Sequence, residues 1–212
     1  MCSRNAFPKV VKEYAACDPL EMAERGGAHF KGNTFVLEYC GLPLSITYPS
    51  GEFNFLEKGK DLKEQIPPPA QEEKVVILQY LTSASGLPVR GQGLSFLDLK
   101  GGPLHWKPFQ KEALIPLAQR YYNDKDKFLD LGKQHGGELY DKGDAGIIIP
   151  VLPRLPLTFI LWEGGGEFAP RSMVLFDSVS ESYLATASLY VLAIQVVIRI
   201  WFPGDTRFEN RP

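Results

Sequence analysis

The chain is short of cysteine, of histidine and of any excess of one charge, and each shortage removes a class of function. Cys2, Cys17 and Cys40 are the only cysteines, odd in number and widely spaced. None forms a C-x-x-C, so local spacing supplies neither a zinc site nor an iron–sulfur motif. Unpaired thiols suit a reducing compartment, and the first residues lack the apolar core of a secretory signal. The expected location is therefore cytoplasmic. The formal net charge is −2 at pH 7, with no Lys/Arg-rich run, so nothing draws the chain toward nucleic acid or an anionic membrane.

Signature motifs of catalysis are also absent. There is no G-x-S-x-G elbow, no Walker A sequence and no H-E-x-x-H. The segment Arg90–Ser95, RGQGLS, holds a G-x-G but no third glycine and no strand immediately before it, which argues against dinucleotide binding. The longest apolar run, Leu184–Phe202, contains Gln195 and Arg199 and stops at Pro203-Gly204. A membrane span needs about 20 mostly apolar residues, so this run reads as a buried C-terminal helix.

Against these absences stands a composition that can build a core. Of 212 residues, 44% are hydrophobic and 23% charged, ordinary values for a globular domain. Residues 5–16 space Val10, Val11 and Tyr14 as on a helix face. Asp18-Pro19 opens a second helix, because Asp can cap free N–H groups and Pro suits the first turn, and Gly26-Gly27 closes it. Alternation then predicts a β-meander through Phe35, Leu37 and Tyr39, through Leu44, Ile46 and Tyr48, and through Phe53 and Phe55. The polar stretch 57–65 leads into Ile66-Pro67-Pro68-Pro69, which is stiff and cannot continue a helix. This divides an N-terminal part, 1–66, from a main part, 67–212, the two packing as one compact domain.

In the main part, helices are expected over Gln71–Ser85, over Phe109–Tyr122 with a kink or break near Ile115 at Pro116, and over Asp124–Gln134. A short strand or extended turn is expected at Leu94–Leu97, and a C-terminal helix from about Ala187 to Trp201. Between the last two helices lie the apolar runs Ile147–Val151, Leu155–Trp162 and Met173–Phe176, split by a Pro-Arg-Leu-Pro turn and a glycine-rich acidic loop, Glu163–Glu167. Strands grouped apart from helices give an α+β fold: a mostly antiparallel central sheet packed with helices, with an N-terminal helical segment and meander.

The loops of that sheet carry the best polar candidates. Glu163, Glu167 and Asp177 are strand-end or loop acids; close carboxylates shift one another's pKa or bind a hard cation. If the last two strands are antiparallel neighbours, Glu163 and Glu167 come close together while Asp177 falls at the opposite end. His105, beside Trp106 in a loop leading into a helix, is the best placed of the three histidines. Trp162 offers a flat apolar wall, and Arg154 and Arg171 flank the sheet as potential carboxylate partners.

The segments ASGLPVRGQGLSFLDLKGGPLHWKPF, FLDLGKQHGG and GDAGIIIPVLPRLPLTFILWEGGGEFAPRSMVLFD together resemble the domain-of-unknown-function family 3786. The shared pattern falls on Asp144, Pro153, Arg154, Pro156, Trp162, Glu163, Phe176 and Asp177. The resemblance implies a chain from anaerobic bacteria or archaea, whose relatives keep company with iron–sulfur and corrinoid proteins. It carries no activity and, without further cysteines, no cluster. The resulting expectation is a non-catalytic accessory binding protein holding a small molecule, of tetrapyrrole or corrinoid type, through candidates among His105, Trp106, Arg154, Trp162, Glu163, Glu167 and Asp177. Two alternatives are a carboxylate-based or metal-assisted hydrolase built on Glu163, Glu167 and Asp177, and a docking domain for an iron–sulfur or corrinoid protein.

Overall fold

The computed structural model describes residues 6–56 and 67–205. Cys2, the polar stretch 57–65 and the expected division after Ile66 lie outside the described residues. The N-terminal helices are α1 (Ala6–Ala16) and α2 (Pro19–Gly26). As the sequence predicts, the Asp18 side chain accepts the Glu21 N–H at 2.9 Å and Gly27 ends α2 with φ +65°. A four-stranded antiparallel sheet follows, β1 (His29–Lys31), β2 (Thr34–Tyr39), β3 (Leu42–Thr47) and β4 (Phe53–Phe55), in spatial order 1-2-3-4. Alternation in β2 turns Phe35, Leu37 and Tyr39 inward. The edge strand β1 has no alternating pattern long enough to read from sequence.

After α3 (Gln71–Ser83), the main sheet is built from β5 (Gly93–Ser95), β6 (Glu138–Leu139), β7 (Ala145–Leu152), β8 (Leu155–Trp162) and β9 (Arg171–Asp177). It is antiparallel throughout, in order β5-β9-β8-β7-β6. Its inner rows are Ala145–Leu161–Ser172, Ile147–Phe159–Val174 and Ile149–Leu157–Phe176. Helices meet these rows. Gly132 of α6 (Lys125–Gln134) lies against Ile147 and Ile149, and Trp201 of α7 (Thr186–Trp201) packs on Phe159 at 4.6 Å between rings. The α+β class and the antiparallel sheet are as the sequence predicts.

One helix differs from expectation. It starts at Gly102, not Phe109, so His105 and Trp106 stand on α4 (Gly102–Phe109) rather than in a loop before it. Gly101 at φ +80° turns the chain and Pro103 sits in the first turn, where its missing N–H costs nothing. Nor does Pro116 break the chain. The helix widens into a π turn over Gln110–Leu114, with the Ile115 N–H reaching back to the Gln110 carbonyl, then continues as α5 (Ile115–Tyr121). Pro116 has no N–H to offer and its ring crowds the preceding turn, so one extra residue relieves the clash. The Leu114 carbonyl accepts the buried Ser172 hydroxyl, 2.8 Å away on β9. Among the described residues no helix is long and apolar enough to cross a membrane.

One hydrophobic core runs from Val10 to Phe202 through both sheets. A buried ion pair crosses it. Arg199 of α7 meets Glu73 of α3 in a fork, Nε to Oε1 at 2.6 Å and Nη2 to Oε2 at 2.7 Å, with side chains 5% and 2% exposed. Tyr39 on β2 donates to Glu73 Oε1 at 2.7 Å, and the Ala70 N–H donates to Oε2 at 2.6 Å. Burial alone would lower the Arg199 pKa, but the hydrogen bonds and charge of Glu73 outweigh it and hold the guanidinium ionised.

Removing either partner leaves an uncompensated buried charge. Glu73→Gln and Arg199→Met are each expected to lower unfolding free energy by about 3–5 kcal/mol. The double variant should lose much less than their sum, as read from urea unfolding midpoints and slopes.

The turn between the first two long strands joins the sheets. Cys40 and Gly41, both at positive φ (+50° and +71°), form the two-residue link of β2 and β3. The Cys40 N–H donates to the Val151 carbonyl at 3.0 Å, and a Cβ on Gly41 would stand 2.5 Å from the His135 carbonyl oxygen. His135 Nδ1 lies 3.0 Å from the Cys40 carbonyl and so carries the proton. Burial, with the nearby Arg199 charge, pushes the His135 pKa below the ordinary imidazole value. The sign follows: the folded state disfavours the protonated ring, so His135's contribution is present above the unfolded pKa of about 6.5 and lost as pH falls through the lower folded value. The expected outcome is a fall in unfolding free energy between pH 7 and 5 that His135→Gln reduces, measured by denaturant melts at each pH.

Candidate functional site

The antiparallel register sorts the candidate residues into separate places. At one end of the main sheet, Trp162 and Arg171 are directly opposed across β8 and β9. Opposed side chains share a face, and the Arg171 guanidinium lies over the Trp162 ring at 4.5 Å. The next residue, Glu163, donates its backbone N–H to Asp144 Oδ2 at 2.8 Å, while its carboxylate pairs with Lys125 Nζ at 3.3 Å. That pair is half-exposed and worth at most about 1 kcal/mol. Asp144, Trp162 and Glu163 thus lie close together.

The glycine-rich loop beyond them is a compact hairpin tip. Gly164, Gly165 and Gly166 all have positive φ, and a Cβ on Gly164 would stand 2.6 Å from the Phe168 carbonyl oxygen. Gly165 and Phe168 exchange backbone hydrogen bonds at 3.0 and 3.1 Å. The loop therefore exposes Glu167 and the Phe168 ring, the latter 83% accessible.

Asp177 is at the other end of β9, six positions from Arg171 and about 20 Å away at strand rise. It is 6% exposed and its two oxygens accept the N–H groups of Arg90, Gly91 and Val179 at 2.7 to 3.2 Å. Its role is to pin the 84–92 segment. The three carboxylates of the hydrolase alternative do not converge on one cleft. Among the described residues, no group of three His, Cys, Asp or Glu side chains is placed to hold a metal ion.

Arg154 is also occupied. From the β7–β8 turn it donates to the carbonyls of Gly86 (2.7 Å) and Glu24 (3.2 Å), while its own N–H reaches the Tyr80 hydroxyl. It clamps α2 and the α3 exit to the sheet, at the end opposite Trp162. His105 is exposed on α4, 6.2 Å between ring centres from Tyr190 of α7, and Trp106 packs on Phe109. Both belong to the helical layer on the inner side of the sheet, away from Trp162 and Arg171.

Sequence reasoning missed the opposite face of the main sheet. Its rows are Ile148–Thr158–Leu175, Gly146–Ile160–Met173 and Trp162–Arg171. Ile148, Thr158, Trp162, Met173 and Leu175 are half-buried and stand apart from the continuous core. Among the described residues, the turn at 140–143 closes over Gly146 and Ile160, 3% exposed, and reaches Trp162: a Cβ on Gly143 would stand 2.5 Å from Ile160 Cγ2 and 3.5 Å from the Trp162 ring. The signal was legible, since strands apolar on every residue are the kind that bury both faces.

With the geometry in hand, comparison with known proteins adds one finding. A family model described as a domain of unknown function, DUF3786, matches residues 18–199. The chain belongs to this family of proteins defined by an uncharacterised α+β domain. No curated protein and no solved structure matches it.

The two acids predict opposite outcomes on stability. Asp177→Ala leaves buried backbone donors unpaired and is expected to cost about 2–3 kcal/mol. Glu167→Ala, on an exposed loop, should stay within about 0.5 kcal/mol of the parent. Chemical denaturation of both variants checks the contrast.

Proposed function

We propose that this chain is a non-catalytic cytoplasmic binding protein, accessory to anaerobic metabolism, that holds a flat small molecule of tetrapyrrole or corrinoid type against the outer face of its main sheet. The observation that carries this reading is an apolar sheet face, Ile148, Thr158, Trp162, Met173 and Leu175, that is half-buried and stands apart from the helix-covered core. Burying such side chains fully is favourable at about 25 cal/mol per Å² of apolar surface, so an occupant gains by covering it.

Scale selects the occupant. Three strands about 4.8 Å apart and seven residues at about 3.3 Å each span roughly 330 Å², part of it under the turn at Gly143. A stable protein interface takes about 800 Å² from each partner. The face is small for a lasting protein contact and ample for a flat macrocycle. Docking on an iron–sulfur or corrinoid protein is the second reading, favoured by the exposed Phe168 at the loop tip.

Titration with tetrapyrroles and corrinoids, followed by ultraviolet–visible absorption, tests the first reading. The expected result is a band shift with saturable binding, weakened at least about tenfold by Leu175→Lys, which places a charge on the apolar face. No spectral change across the panel would sink it.

A further inference from the structure

We propose that Arg171 is an anion anchor, so that the molecule held on the outer face carries a carboxylate at its rim. The inference rests on the ligand reading above and specifies its chemistry. Three observations support it. The guanidinium lies over the Trp162 ring, 4.5 Å from its centroid, across the strand pair that ends the apolar face. A guanidinium held against an aromatic ring keeps N–H donors that can receive a carboxylate through two parallel hydrogen bonds. Arg171 is exposed, and no carboxylate among the described residues pairs with it.

The missing ion pair is informative because acids are close by. Glu163 follows Trp162 directly, yet its carboxylate goes to Lys125 at 3.3 Å and its N–H to Asp144. The loop glycines fold Gly164–Phe168 into a tip of its own, and Glu167 is exposed there. The local wiring thus occupies the acid next to Trp162 and leaves the Arg171 cation beside an apolar platform. A ligand with a flat apolar body and a peripheral carboxylate satisfies both. One whose rim carries neutral amides satisfies the platform alone.

The bland alternative is a cross-strand cation–π pair that only steadies the hairpin, worth about 0.5–1 kcal/mol. A matched pair of probes separates the two. Protoporphyrin IX and its bis-amide share the same ring and differ in the rim charge. Fluorescence or absorption titration of the full chain is expected to give at least about tenfold tighter binding of the dicarboxylate. Arg171→Gln should bring the two affinities together by weakening only the dicarboxylate. Arg171→Lys should recover part of the preference, since a point charge lacks the fork. The preference should shrink at high salt.

Equal binding of both probes by the parent protein overturns the anchor and leaves the flat-ligand reading standing. Binding of neither probe overturns both. The parent comparison needs no variant; for Arg171→Gln, far-ultraviolet circular dichroism and an unchanged melting midpoint establish that lost preference is not lost fold.

Discussion

The fold depends on one buried charge pair. Glu73 and Arg199 come from helices at opposite ends of the main part, and their fork closes α3 onto α7. Tyr39 brings the N-terminal sheet to the same carboxylate, and the guanidinium also bonds the Pro67 carbonyl at 3.1 Å and lies 5.3 and 5.5 Å from the rings of Phe55 and Tyr39. Such a pair costs desolvation that a well-packed apolar pair would avoid. What it adds is register. α7 is apolar around most of its surface, and an apolar helix can slide or rotate in a core with little penalty. Arg199 has one site where its donors are satisfied, so it fixes which face of α7 meets the sheet.

Around that point, side chains bond backbone rather than one another. Asp177 gathers the N–H groups of Arg90 and Gly91, Arg154 takes the carbonyls of Gly86 and Glu24, and Tyr183 donates to the Leu87 carbonyl. All three act on or beside the same irregular stretch, 84–92. A segment without a ladder of its own must find partners for its peptide groups, and here strand-end and turn residues supply them. Arginine and aspartate look like site chemistry in a sequence. Buried against backbone they serve as structural braces, and the polar groups left for recognition are few.

The main sheet is consequently asymmetric. Its inner rows are covered by α4 to α7, while among the described residues no helix covers its largely apolar outer rows, which the turn at 140–143 crosses at Gly146 and Ile160. The π turn contributes to this arrangement. Ala113 and Leu114 stay buried before Pro116, and the Leu114 carbonyl accepts the Ser172 hydroxyl. All of these devices commit the helices to one side. The unshielded side ends at the Trp162–Arg171 pair, which makes that end the chemically distinctive part of the surface.

Much of this was written locally. The Asp18 cap and Gly27 stop of α2, the alternation of β2 and β3, and the apolar runs of β7 to β9 follow from propensity and period, which are properties of neighbouring residues. So does the adjacency of Trp162 and Glu163, which are neighbours in the chain. The extension of α4 to Gly102, the passage through Pro116 and the short strands β1 and β6 were not legible, because each is decided by what packs or pairs across space. The same holds for the site. No spacing rule brings Lys125 to Glu163 or sets Arg171 over Trp162, and none shows that Arg154 and His105 lie elsewhere; the separation of Asp177 alone follows from the antiparallel pairing expected of the last two strands. Sequence by itself determined the elements, the class and the chemical material of the sheet. Tertiary structure decided which acids and cations were consumed by the fold and which face stayed open, because pairing register and burial are set between segments distant in the chain.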